Sequence, residues 1–359
     1  MKLDLIKKTS WGVAYNEGGV LAVLMERTGE IFFLRHVIRG RLDDASECKN
    51  LRKSFAKSPF FVPIGAGHCF SEHWDTIPSH AQKNKMPSSF LTPNVSFKQI
   101  DDLTAVKAAE IPVAVRTQME QHCSFANPSV AYCMNTLSGG KNTVLGAAVP
   151  DDAVQQDLRF WEAFGFRLPH IGLEAIANLN LYLALEGGRD QTDWTLLIHS
   201  NGSDGVPRTC FQLLQKNQLL LNFEAPCDLL GLGDEAFMQL MEGAVRQAAQ
   251  RCDEFQIARD TLAQYWVSGE CEEPIPTALL TRLGFVSWAV GNAQDDNSMA
   301  GDIEQLDRLR ERFEATGLYP LYFNPFSSPR LQIPDKYREF LAPNRMLAQQ
   351  AIGMAVQGL

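Results

Sequence analysis

The segment Asn142–Leu168, NTVLGAAVPDDAVQQDLRFWEAFGFRL, constrains the fold most, because it carries a complete strand–helix–strand pattern. Its first eight residues are mostly apolar and are typical of a buried strand. Pro150 ends that strand, and either of the two aspartates after it can cap the following helix. Apolar residues recur at helical spacing up to Gly165, a common helix stop, and Phe166–Leu168 then predicts a second strand. This pattern predicts an α+β fold.

The overall composition limits the kinds of partner. A chain of 359 residues is long enough for two or three domains. Its net charge of −9 argues against nucleic acid, because phosphates attract Lys and Arg. The sequence has no apolar run long enough to span a membrane, and its N-terminus lacks the apolar core of a signal peptide. We therefore predict a cytoplasmic protein that binds neither nucleic acid nor membrane.

The eight cysteines are scattered along the chain, and no two have CxxC spacing. This spacing disfavours a structural zinc site. In a large cytoplasmic chain, scattered cysteines are mostly buried, reduced thiols.

Residues 1–141 are predicted to form an N-terminal α/β region. Residues 11–38 are typical of an antiparallel meander, and 43–56 of a helix that begins at Asp43 or Asp44. A strand over 60–64 follows. The polar residues of about 74–100 predict a long exposed loop, and 103–122 a helix interrupted at Pro112. Residues 124–141 are expected to be irregular and to form the domain boundary.

Residues 142–359 are predicted to form repeated modules. Strand–helix–strand patterns begin near residues 142, 217 and 284, which favours tandem βαβββ-type modules with mixed curved sheets. The remaining predictions are strands at 179–185, 194–199, 217–224, 255–258, 265–267, 285–290, 318–323 and 330–333, helices at 234–252 and 302–316, and a C-terminal helix at 334–357.

Two short motifs in the first strand–helix–strand segment, Val149-Pro150-Asp151 and FWEAFGFR at 160–167, resemble the vicinal oxygen chelate superfamily of glyoxalases, extradiol dioxygenases and bleomycin-resistance proteins. The resemblance implies paired modules around a pocket. It also implies a divalent metal held by His, Gln or Glu at the start of a module's first strand and by Glu near the end of its last strand.

In this chain no module opens on a histidine. The first-strand positions are Asn142 or Thr143, then Asn217 or Gln218, then Gly284 or Phe285, so we predict no tightly held metal. The residues that remain as candidates for binding a small molecule lie at strand ends: His170, His199, Gln218 and Glu224.

A second resemblance involves the loop after the strand at 60–64. Residues 36–72 resemble the start of the FAD-binding domain of vanillyl-alcohol-oxidase-type flavoproteins, with a "GxGHS"-like loop. The resemblance implies that His68 could join the flavin, although Cys69 stands where the family has Ser. Gly65 and Gly67 would let the backbone approach the cofactor closely.

The function predicted from the sequence is a small-molecule-binding protein of glyoxalase/dioxygenase-like architecture, either metal-free or a degenerate lyase, isomerase or dioxygenase. Two alternatives stay open at this point. One is an FAD-dependent oxidoreductase that uses the loop from Gly65 to His68, and the other is a non-enzymatic binding or partner protein. No cofactor is firmly predicted; the alternatives are FAD or a divalent metal.

Overall fold

The computed structural model describes residues 8–16, 19–66, 95–100, 103, 106–136, 142–167, 169–186, 194–201, 208–215, 218–225, 262–269, 319–322 and 325–359. Within these ranges the strands are β1 Lys8–Asn16, β2 Gly19–Thr28, β3 Ile31–Gly40, β4 Phe60–Pro63, β5 Ser96–Ile100, β6 Pro128–Thr136, β7 Asn142–Pro150, β8 His170–Gly172, β9 Trp194–Asn201, β10 Arg208–Gln215, β11 Gln218–Ala225, β12 Leu262–Gly269, β13 Tyr319–Tyr322 and β14 Leu331–Gln332. The helices are α1 Ala45–Phe55, α2 Ile111–His122, α3 Asp151–Ala163, α4 Glu174–Glu186, α5 Asp335–Leu341 and α6 Arg345–Val356.

A six-stranded sheet contains the N-terminal meander, in the order β14-β3-β2-β1-β4-β8. Strands β1, β2 and β3 are antiparallel, whereas β4 runs parallel to β1 and β8 runs parallel to β4. Both central strands are buried along nearly their whole length. Near-continuous burial means that both faces of this sheet are covered.

A five-stranded sheet repeats the same topology, in the order β11-β10-β9-β12-β13. Here too an antiparallel meander, β9 to β11, is followed by two parallel strands, β12 and β13. The chain therefore contains two units with one strand order, joined in sequence through α4.

A three-stranded sheet, in the order β5-β7-β6, is inserted into the first unit between β4 and α3. Helix α2 covers one face of this inserted sheet with the buried residues Ile111, Val115 and Met119. Gly146 of β7 allows the close approach, because a Cβ there would lie 2.7 Å from Sδ of Met119.

The C-terminal helix α6 returns to the first unit and packs on β1, β2 and α4. Two glycines permit this packing. A Cβ at Gly12 of β1 would overlap backbone atoms of Ala351 and Ala355, and a Cβ at Gly353 would overlap the carbonyl of Ala177. Backbone therefore meets backbone on both sides of α6.

Helices α1 and α3 cover the first sheet through an aromatic cluster, formed by Trp11, Phe55, Phe60, Phe160, Trp161, Phe164 and Phe166. Neighbouring rings lie 4.9 to 6.5 Å apart between centroids. Asp44 caps α1, since its carboxylate accepts hydrogen bonds from the amides of Ser46 and Glu47. The predicted meander, the helix over 43–56 and its cap at Asp44 are confirmed. The cap predicted at Asp151 or Asp152 for α3 is not found, because Asp151 is already helical and Pro150 occupies the cap position.

The α+β class is confirmed, but the predicted βαβββ module is not found at 142–168. Helix α3 is present, yet the strands on either side of it lie in different sheets, β7 in the inserted sheet and β8 in the six-stranded sheet. Residues 166–167 are not a strand, and β8 begins only at His170. One strand–helix–strand pattern in sequence thus connects two sheets.

Three further predictions are wrong. Residues 179–185 lie in α4 rather than in a strand. Residues 128–136 form β6 rather than irregular structure. Pro112 stands at the start of α2 rather than interrupting a longer helix. The predicted helices 234–252 and 302–316, the strand at 255–258 and the pattern near 284 lie outside the described residues.

Candidate functional site: a groove beside an edge strand

A groove of about 470 Å³ lies where the inserted sheet meets the first unit. Its lining residues come from α2, from β6 with the residue before it, and from the start of α3: Pro112, Arg116, Asn127, Pro128, Ser129, Val130, Tyr132 and Asp151. Tyr132 stays 41% exposed. The groove therefore presents a large, partly exposed aromatic side chain beside α2.

The amphipathic pattern of α2 explains one wall of the groove. The helix buries Ile111, Val115 and Met119 against the inserted sheet, and Pro112 and Arg116 lie on the flank beside that buried face, where they line the groove. The guanidinium Nε of Arg116 donates to Oε1 of Glu120 at 2.9 Å, one helical turn later. Since both side chains are exposed, this pair is worth little stability and can exchange partners easily.

The junction of β6 with α3 forms the other wall. The amide of Asp151 donates to the carbonyl of Asn127 at 3.1 Å, and the hydroxyl of Ser129 donates to Oδ1 of Asp151 at 2.6 Å. Asn127 has φ of 49°, a left-handed conformation that asparagine tolerates better than most residues. These contacts connect the beginning of β6 to the beginning of α3.

The Gly65 turn, predicted from the sequence to approach a flavin, ends β4 and is held from two sides. The amide of Gly65 donates to Oδ2 of Asp157 at 2.5 Å, and the hydroxyl of Tyr15 donates to the carbonyls of Pro63 and Ile64, each at 2.9 Å. The φ of Gly65 is 104°, which favours glycine. Its amide therefore points at a carboxylate within the protein. Gly67, His68 and Cys69 lie outside the described residues.

The four residues predicted to bind a small molecule are divided between two sheets. His170 opens β8 and is exposed, with its ring stacked on Phe61 at 4.6 Å between centroids. His199 of β9 and Glu224 of β11 are aligned with Cys210 of the strand between them. Gln218 lies at the opposite end of β11. His199 and Glu224 are thus brought into register, and their binding role stays a prediction.

Within the described residues, no group of three or more His, Cys, Asp or Glu side chains is placed to hold a metal ion. The same part of the chain contains no helix that is both long enough and apolar enough to cross a membrane. The predicted cytoplasmic location stays a prediction.

No family model and no curated protein matches this sequence. Among solved structures, the chain is similar to one from the "PilM-PilN type IV pilus biogenesis complex", with a TM-score of 0.56, 12% identity, and coverage of 97% of this chain and 98% of that chain. Looser similarities include a Bacteroides thetaiotaomicron protein of actin-like ATPase fold and unknown function (TM-score 0.36, 10% identity, 79% and 90% of the two chains). They also include the cytoplasmic domain of EpsL, an inner-membrane component of the type II secretion system of Vibrio cholerae (TM-score 0.36, 8% identity, 77% and 94%).

The first of these similarities extends over nearly the whole of both chains and defines the fold as that of the pilus-complex chain. The resemblance to the vicinal oxygen chelate superfamily is therefore wrong, and so is the glyoxalase- or dioxygenase-like function predicted from it. The motifs at 149–151 and 160–167 reflect a local strand–helix turn that is shared by many α/β proteins. Neither the flavin-dependent oxidoreductase nor the generic binding protein gains specific support from the fold.

Sequence reasoning missed the residues of the groove, because they are far apart in the chain and belong to three elements. No local pattern marks them, because Tyr132 lies within an apolar run, Val130–Met134, as many core residues do.

Proposed function

We propose that this chain is a component of a pilus-biogenesis type of assembly and that it holds a partner protein in the groove beside β6. Two observations support the proposal. The fold is similar, across nearly the full length of both chains, to that of a chain from a pilus-biogenesis complex. The groove also presents the exposed Tyr132 beside α2, and this side chain is the single observation that carries the site assignment.

The chemistry of the groove suits a protein segment. Its volume of about 470 Å³ accommodates a few side chains of a partner. Tyrosine is among the residues that most often dominate binding energy at interfaces, because it buries a large apolar ring and keeps a polar tip. Of the four large hydrophobic side chains that are exposed in the described part of the chain, Tyr132 is the one that lines this groove.

Polar groups surround this apolar contact. Arg116 and Asp151 lie on opposite walls, one a cation and the other a carboxylate that is already engaged by Ser129. An apolar centre with a polar rim is the usual anatomy of a protein interface. The rim charges would set the orientation of the bound segment more than its affinity.

Site-specific photocrosslinking tests this proposal. A photoreactive amino acid is placed at Tyr132 in the full chain, and a matched one at Ile31, which is 40% exposed but lies in β3 of another sheet. After irradiation in the source cells, position 132 should give one defined partner band whose peptides map to a pilus-assembly protein, and position 31 should not. Equal labelling at both positions, or no partner adduct at 132, would refute the proposal.

A further inference from the structure

The hydrogen-bond pattern of β6 shows which of its backbone groups point into the groove. Pro128 pairs with Pro150 in the β6–β7 ladder. Neither proline has an N–H, so this pair cannot exchange two hydrogen bonds and must be of the non-hydrogen-bonded kind. The bond from the amide of Asp151 to the carbonyl of Asn127 confirms that assignment, because it flanks the pair as the pattern requires.

The pattern alternates along the strand from that starting point. Ser129 and Ala131 exchange bonds with β7, whereas the N–H and C=O groups of Val130 and Tyr132 point to the outer edge. Val130 and Tyr132 both line the groove. The groove is therefore bordered by a row of backbone donors and acceptors that no strand of the described residues pairs with.

Both faces of the inserted sheet are covered. Helix α2 packs on one face, and on the other face Phe97 and Leu145 join the main core with Leu219 of β11. Strand β6 is nine residues long, whereas the edge strands of the six-stranded sheet have two and three residues. Natural proteins usually blunt or cover a long edge, so an open one is a template for another strand.

We propose that the partner segment binds as an added strand, extended along the outer edge of β6, with backbone hydrogen bonds to Val130 and Tyr132. This inference rests on the proposed function and specifies the partner's conformation. Main-chain bonds would provide much of the affinity, and alternate side chains of the segment would face α2. If one of these side chains is acidic, it can form an ion pair with Arg116.

The test uses a synthetic peptide that spans the residue crosslinked from position 132. Each of its amides is methylated in turn, and binding to the full chain is measured by calorimetry. An added strand predicts losses of about ten-fold or more at alternate positions and small losses between them, because only every second N–H faces β6. Losses without this period of two would overturn the inference and leave the proposed function standing.

A change in the chain itself provides the matched experiment. Val130→Pro removes one outward N–H and leaves the β6–β7 bonds intact, whereas Val130→Ala shortens the same side chain and keeps the N–H. Peptide binding should weaken about ten-fold or more in Val130→Pro relative to Val130→Ala. Equal binding by the two folded variants would contradict strand addition, and the methylation series decides the matter if Val130→Pro does not fold.

The crosslinking experiment also distinguishes a partner protein from other segments that could cover this edge. An adduct from position 132 to residues 67–94 of the same chain, or to β6 of a second copy, would show that the edge is covered without a partner protein. Either result would overturn both the inference and the proposed function. An adduct to a partner peptide that lacks the methylation period would overturn the inference alone.

Discussion

The six-stranded sheet and the inserted three-stranded sheet differ in the length and accessibility of their edge strands. The first ends in edge strands of two and three residues, and α6 covers one of its faces with backbone against backbone at Gly12. The second ends in the nine-residue β6, which borders an open groove with Tyr132 at its rim. Within the described residues, the six-stranded sheet (the closed sheet) ends in these short edges, whereas the inserted sheet (the open sheet) keeps both backbone groups and an aromatic ring accessible.

This difference separates stability from recognition. Substitutions in the closed sheet should lower the free energy of unfolding and leave the affinity for the partner unchanged. Substitutions at the open edge should change binding with little effect on folding. The expected loss of stability is largest at Gly12, smaller at Asp157 and Asp44, and smallest at Tyr132.

Gly12→Ala should destabilise the protein most, by about 3 kcal/mol or more, because the new Cβ overlaps backbone atoms that cannot move aside by changing rotamer. Gly29→Ala is the matched control. Gly29 lies in the turn between β2 and β3 and has open space around a Cβ, so only its φ of 63° carries a cost, of about 1 kcal/mol. Urea unfolding of both variants measures the difference. Equal losses would show that α6 is not seated on β1 as described.

Asp157→Ala should cost about 1 to 3 kcal/mol, because it leaves the buried amide of Gly65 without its acceptor. Gln155→Ala, an exposed change on the same helix, should stay within about 0.5 kcal/mol. Thermal or urea unfolding compares the two. If Asp157→Ala were as stable as the control, the Gly65 turn would not depend on this contact.

The sequence was sufficient for the elements whose signals are local. The N-terminal meander has tight glycine turns between apolar runs, and α1 has Asp44 at its start, so both were predicted correctly. Helix α4 was predicted as a strand because it is buried on nearly every side. Its residues Ala175, Ala177, Leu179, Leu181 and Leu185 are all covered, so no polar stripe reveals the helical period.

The strand β6 was missed for a different reason. Its apolar run, Val130–Met134, is short and lies among the Ser, Asn and Gly residues of 124–141, which favour irregular structure. The groove could not be predicted, because it exists only after 112–116, 127–132 and 151 are brought together by the fold. A division of the chain at residue 141 stays a prediction; that residue lies between β6 and β7, which pair with one another.

Asp44→Ala should have a smaller effect that depends on pH. The backbone amide of Glu47 donates to the Asp44 carboxylate, as do groups of Ser46, and these bonds lower the pKa of Asp44 below its ordinary value of 3.8. A lowered folded-state pKa means that the stabilisation is complete above 3.8 and is lost as pH falls through the folded value.

The free energy of unfolding measured as a function of pH below neutrality gives the contribution of the Asp44 carboxylate. Wild type should lose stability more steeply than Asp44→Ala as pH falls below 3.8, and the two curves should differ most at neutral pH. Parallel curves for the two proteins would show that the cap carries no charge-dependent stabilisation. Asp44 is fully exposed, so added salt should also reduce the difference.

Tyr132→Ala should have the smallest effect on stability, within about 0.5 kcal/mol, because the side chain is already 41% exposed. The measurement that tests the central claim most directly is calorimetric binding of the crosslinked partner peptide to this variant, with Ile31→Ala as the control. The account predicts that Tyr132→Ala weakens binding by about 2 kcal/mol, or about thirty-fold, and that Ile31→Ala binds like the wild type. Unchanged binding by a folded Tyr132→Ala would contradict the assignment of the groove.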